Sequence, residues 1–91
     1  MVERISWFSM IDYQIFEFYQ SHDIRVSPSV LADNIDYHPE YTGSRLRILR
    51  NAGLLNQTEK GYYGLSDLGR EFLAGDLPVE EIEERDPDLE Q

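Results

Sequence analysis

The sequence predicts an α+β domain that is mostly helical: three helices, a two-stranded hairpin with a basic tip, and a fourth helix. Three observations carry this expectation. Apolar residues from Met10 to Tyr19 recur at helical spacing. Two helix starts, Ser27-Pro28 and His38-Pro39, follow in close succession. Beyond Gly53 the pattern changes to two short extended runs flanking Glu59-Lys60-Gly61 and then returns to helix.

The first helix is expected from Met10 to about Ser21, with Ser9 and Asp12 forming a capping box and Phe8 stapled onto Tyr13. Ile11, Ile15, Phe18 and Tyr19 form its apolar stripe; Phe16 lies off that stripe, on a broad core face or facing a second subunit. Ile24-Arg25-Val26 is a connector or a minimal strand. Ser27 caps a brief second helix, Pro28 to Asn34, that turns Val30, Leu31 and Ile35 inward. The third helix runs from Pro39 to about Ala52; His38-Pro39 is its start signal, a weaker one because His is a poor cap, with Asp36 as the alternative source of a capping oxygen. Thr42, Leu46 and Leu49 share its inward face with Arg45 beside them, whereas Glu40, Ser44, Arg47 and Asn51 point outward. Gly43 interrupts this helix, either for close approach to a partner or as neutral drift. Gly53 stops the helix, Leu54–Thr58 and Tyr62–Leu65 pair across the turn, and Ser66 caps a fourth helix to Ala74. Residues 1–75 are thus read as the domain and 76–91 as an acidic tail, with a short helix from Pro78 to Glu84 and disorder in the last few residues.

Composition narrows the function. Ninety-one residues with 41 % apolar content make one domain with a modest core. There is no cysteine, and hence no disulfide framework or thiolate metal site. No apolar run approaches the roughly 20 residues of a membrane span, and the start lacks a signal-peptide layout, so a cytoplasmic protein is expected. His22 and His38 sit in separate turns without a nucleophile or ligand partner, and no Gly-rich phosphate loop occurs; an enzyme, a metal, a cofactor or a small-molecule substrate is not expected.

Charge is the unusual property. Acidic residues outnumber basic ones 18 to 8, for a net charge of −10, and seven of the eight basic residues are arginine. Such a surface suggests a salt-loving source, the alternative being an acidic mesophilic protein. The acid is concentrated at the end: residues 76–91 carry eight acidic residues against one basic, whereas 39–62 carry four basic against two acidic. The central segment is the locally basic part of the chain.

Three helices followed by a hairpin with a basic tip is the order of a winged helix-turn-helix domain. In that arrangement the second helix of the pair enters the major groove, and the residues early in it read base edges. Base contact is therefore assigned to Glu40, Tyr41, Ser44 and Arg47. Backbone contact is assigned to Ser29, Thr42, Arg45, Arg50, Lys60 and Tyr62.

The run NAGLLNQTEKGYYGLSDLGREFLAG resembles the hallmark of winged-helix transcriptional regulators: a helix end, a wing containing GYY, and then L-S/T-D-x-G-R. Upstream, Trp7, the Asn34-Ile35-Asp36-Tyr37 turn and the basic third helix are similar to small haloarchaeal regulators of the phage phiH repressor type. The resemblance covers roughly Trp7 to Gly75. It implies sequence-specific binding of double-stranded DNA, usually as a dimer on a two-fold site, with repression as the outcome. Ser44-Arg45 stands where relatives tend to carry two adjacent arginines. The competing expectation is a winged-helix protein-interaction module whose arginines meet acidic partners or the chain's own tail. Trp7, Phe8, Phe16, Val79 and Ile82 are candidates for a homodimer surface, and Trp7 is equally a candidate cover for the base of the core.

Overall fold

A computed structural model describes residues 4–86. Helix α1 spans Met10–Ser21, α2 Pro28–Ile35 and α3 Pro39–Asn51. Strands β1, Leu55–Gln57, and β2, Tyr63–Leu65, form the wing, followed by α4, Asp67–Ala74, and α5, Val79–Glu83. All expected elements are present, with ends displaced by a residue or two.

Local chemistry places the helix starts. Asp12 accepts from the backbone N–H of Ser9 at 2.9 Å, and Phe8 packs on Tyr13 with ring centroids 5.2 Å apart, so the capping contact and staple both form. Ser27 Oγ accepts from Val30 N–H, and Ser66 Oγ accepts from Gly69 N–H. At α3 the cap is His38 rather than Asp36: His38 Nδ1 accepts from Glu40 N–H at 3.1 Å. Asp36 is needed elsewhere. It ends α2 with φ 62°, a left-handed conformation that aspartate tolerates, and thereby makes the sharp turn into α3.

In the wing, Leu55, Asn56 and Gln57 pair antiparallel with Leu65, Gly64 and Tyr63. The segment before α2 adds an isolated bridge: Val26 and Tyr63 exchange both backbone hydrogen bonds, at 2.9 and 2.8 Å. Leu31, Leu46, Leu49, Leu54 and Leu55 are buried between the helices and this sheet. Tyr19 crosses the same core and donates its hydroxyl to the Tyr63 carbonyl at 2.7 Å; burial raises the pKa of its phenol.

Phe16 belongs to the core. It stacks on Phe8 and meets Phe72 edge-on, at 5.7 and 5.3 Å, because α4 closes the open side of α1. Trp7 donates to the Ile82 carbonyl at 2.8 Å, Ile82 is fully buried, and Val79 packs against the core. Of the residues expected to meet a second subunit, Phe16 and Ile82 are thus buried in their own chain, and Trp7, Phe8 and Val79 are half-buried against it.

The segment after Gly75 packs against the residues before it. Ser6 donates two hydrogen bonds to Glu83, and these hold the Glu83 carboxyl below the ordinary glutamate range. Arg85 donates to the Ala52 carbonyl at 3.3 Å. The helix expected after Pro78 is thus docked beside the C-terminal end of α3, away from the Glu40–Ser44 end. The expected disorder of the last residues falls outside the described residues.

Candidate nucleic-acid interface

Helices α2 and α3 pack more extensively than any other pair of elements. Gly43 is buried at their crossing, where a methyl group would meet Pro28 Cβ at 3.8 Å and Arg47 Nη1 at 3.9 Å, both ordinary contact distances. The partner that Gly43 approaches is α2. Since the space for a methyl group exists, Gly43→Ala is expected to stabilise the fold by about 1 kcal/mol through helix propensity, read as a rise in Tm of about 4–8 °C. A lower Tm would show that the two helices cannot tolerate the added methyl.

This packing sorts the side chains of α3. Glu40, Tyr41 and Arg47 are exposed and Ser44 is half-exposed, so the residues assigned to base contact share the outward side. The ring of Tyr41 lies 6.4 Å from that of Tyr37, in the turn between the helices. Ser29 is exposed in the first turn of α2.

Two assigned backbone contacts are corrected. Thr42 is fully buried and donates its hydroxyl to the His38 carbonyl one turn back, at 2.9 Å. Arg45 turns toward α1 and forms a two-pronged pair with Asp12, with Nε–Oδ1 3.0 Å and Nη2–Oδ2 2.6 Å. The Asp12 side chain is 0 % exposed and that of Arg45 14 %. Arg45 therefore fastens α3 to α1, and its guanidinium is occupied within the fold. Nothing near Arg45 in the sequence reveals this, because its partner lies 33 residues away.

Arg50 is half-exposed and reaches from α3 to the wing, donating to Asn51 Oδ1 on its own helix and to Gln57 Oε1 on β1. Both acceptors are neutral amides, so its charge is not cancelled there. The wing tip is tied by Thr58 N–H to the Tyr62 carbonyl at 2.8 Å and by Tyr62 N–H to Thr58 Oγ1 at 3.1 Å. Gly61 takes φ 86° within it, a conformation that favours glycine. This turn presents Lys60 and Tyr62 to solvent.

Among the described residues, the ion pairs divide the basic side chains by position. Arg45 pairs with Asp12, Arg70 with Asp23 and Asp67, and Arg85 with Glu81. The hydrogen bonds from Arg70 hold the Asp23 carboxyl below the ordinary aspartate range. Arg25, Arg47, Arg50 and Lys60 have no carboxylate partner and lie on α3, the wing and the segment bridged to it; Arg4, at the start, is the fifth such residue. In a chain of net charge −10, four of these five cations lie on α3, the wing and the segment bridged to it.

A helix-turn-helix pair, a wing and this charge arrangement coincide with the comparison to known proteins: residues 1–85 match the winged helix-turn-helix phage repressor family. The chain belongs to that family. It is also 28 % identical over 87 residues to the "Repressor protein" of Halobacterium phage phiH, a match covering 91 % of this chain and 98 % of the phage protein. No solved structure matches. The family is regulatory, and no helix among the described residues is long and apolar enough to cross a membrane.

The family's wing signature has a structural basis in this chain. Ser66 caps α4 and donates its hydroxyl to the Gly53 carbonyl at 2.6 Å, Gly69 lets α4 approach Leu54, and Arg70 ties α4 to Asp23 after α1. These residues hold the wing against the end of α3 and do not themselves form the exposed site.

Proposed function

We propose that this chain is a sequence-specific double-stranded DNA-binding repressor that acts in the cytoplasm as a homodimer on a two-fold operator. Helix α3 lies in the major groove, with Glu40, Tyr41, Ser44 and Arg47 at base edges. Helix α2 crosses the backbone at Ser29, while Lys60 and Tyr62 of the wing tip, together with Arg50, contact phosphates. The observation that carries this reading is the outward side of α3, where the four reading residues stand clear of the protein's own packing while Thr42 and Arg45 are turned away.

The residue types suit direct readout. Arginine can donate two parallel hydrogen bonds to guanine O6 and N7, and glutamate accepts from cytosine N4. An acidic body opposes approach to DNA at low ionic strength. In molar salt the screening length falls to about 3 Å, so local contacts dominate. A concentrated set of four cations on an acidic surface is therefore workable in a salt-rich cell.

Selection of genomic fragments by the purified protein in molar potassium chloride tests the proposal, beside an Arg47→Ala variant. Enrichment of a two-fold motif is expected, with Arg47→Ala losing about 1–3 kcal/mol of discrimination at one base position. Enrichment of no motif, together with co-purification of a protein partner, would support a winged-helix interaction module instead. Arg45 is unsuited to this test because its replacement breaks the pair to Asp12. Light scattering in the same salt is expected to show two chains; a mass of one chain, free and on operator DNA, would overturn the dimer.

A further inference from the structure

Arg25 lies two residues before the α2 cap, in the segment bridged to the wing through Val26 and Tyr63. Its stem crosses Gly64: a methyl group at position 64 would come within 2.9 Å of Arg25 Cγ and 3.7 Å of its Cα. Gly64 is paired with Asn56 on β1, so the arginine rests on a glycine floor beside an exposed amide side chain. Asn56, Gln57, Thr58 and Arg25 line a cleft of about 410 Å³, which Asp23 and Arg70 also border. Those last two residues are engaged with each other, through Nε–Oδ2 at 2.8 Å and Nη2–Oδ1 at 3.2 Å. The acid nearest in sequence is thus committed to another arginine, and Arg25 leaves the cleft with a net positive charge.

Arg50 connects this cleft to the reading helix, since its guanidinium bonds Gln57 on the cleft lining. From these positions we infer that Arg25, with the polar side chains of β1, forms an additional phosphate contact on the same duplex, extending the protein's footprint from α3 across the wing. This inference rests on the DNA-binding reading above. Arginine presents a planar fork of donors suited to phosphate oxygens, and Asn, Gln and Thr are ordinary backbone-contacting residues. The contact adds affinity without base preference, because every sequence offers the same phosphates.

The test is the salt dependence of duplex binding by the full chain and by Arg25→Gln, Arg25→Lys and Arg4→Gln. One lost phosphate contact lowers the slope of log affinity against log salt by about 0.9. Arg25→Gln is expected to show that drop equally on operator and unrelated duplex, with an unchanged thermal melt. Arg25→Lys, which keeps the charge, is expected to retain the slope. Arg4→Gln, an equal change in net charge away from the cleft, is expected to leave it unaltered. Duplex binding with an unchanged slope in Arg25→Gln would overturn the inference and leave the DNA-binding reading standing. A wild-type chain that binds no duplex would remove both. Thermal stabilisation of the wild type but not of Arg25→Gln by inorganic pyrophosphate, with the slope unchanged, would assign the cleft to a free phosphorylated ligand and overturn the duplex contact.

Discussion

Asp12→Ala is expected to destabilise the domain by about 3–5 kcal/mol, the cost of leaving one member of a buried ion pair without its partner. The Asp12 carboxylate accepts from Ser9 N–H, Arg45 Nε and Arg45 Nη2, so its loss removes a helix cap and the clasp between α1 and α3 together. Single domains of this size are stable by only about 0.05–0.15 kcal/mol per residue, so the loss is a large fraction of the total and the variant is expected to melt well below the wild type. Arg45→Ala is expected to fall in the same range, since it strands the buried carboxylate. Asp12→Leu/Arg45→Met is expected to cost less than either single change because no buried charge remains unpaired. Chemical denaturation of the four proteins measures this. If the double variant is less stable than both single variants, no penalty came from a buried charge left unpaired, and the assignment of Arg45 as a clasp is wrong. The result also governs DNA-binding experiments: loss of binding in an Arg45 variant reports unfolding before it reports a missing phosphate contact.

The second large effect is expected at Gly69. A methyl group there would lie 2.2 Å from the Leu54 carbonyl oxygen, a backbone atom with little freedom to retreat. Leu54 is fully buried, its N–H bonds the Leu49 carbonyl, and its own carbonyl accepts from Ser66 N–H. On the other side, Ser66 fixes the first turn of α4 through Gly69 N–H. Gly69→Ala is therefore expected to cost about 3 kcal/mol or more, at or beyond the upper end of ordinary overpacking. Thermal and urea melts would check it; a variant as stable as wild type would show that α4 can shift away from Leu54. The same substitution at Gly43 is expected to stabilise. Both are buried helical glycines, and the sign is decided by whether the neighbouring atom stands at 2.2 or 3.8 Å.

This pair of glycines marks the limit of what linear pattern reveals. At either position the sequence shows a helix breaker inside a helical run, and propensity assigns both the same penalty. Only the position of a neighbouring chain separates them. Phe16 illustrates the same limit: it lies off the helical stripe of α1 because the stripe is drawn for one packing direction, whereas α4 and Phe8 supply a second. Of the two candidate caps for α3, His38 takes the role, while Asp36 ends α2 in a left-handed conformation.

The candidate site was more legible in its exposed half. Glu40, Tyr41, Ser44 and Arg47 follow from helical periodicity once the inward face is set by Leu46 and Leu49, because exposure on a helix is a local property. Lys60 follows from the turn chemistry of Glu59-Lys60-Gly61, which forces a tip between two strands. In the sequence, Arg25 reads only as part of a connector. The signal for it was Gly64, a glycine inside a strand, which marks close approach by another part of the chain without naming what approaches.

By itself, the sequence determined the element order, the helix starts and the side of α3 that meets solvent. Caps, turns and periodicity act within a few residues, so they can be read along the chain. The tertiary structure alone decided which arginines remain available. Arg45 is consumed by a carboxylate 33 residues away and Arg70 by one 47 residues away, whereas Arg47 has no such partner among the described residues. An ion pair depends on distance through space, and folding sets that distance.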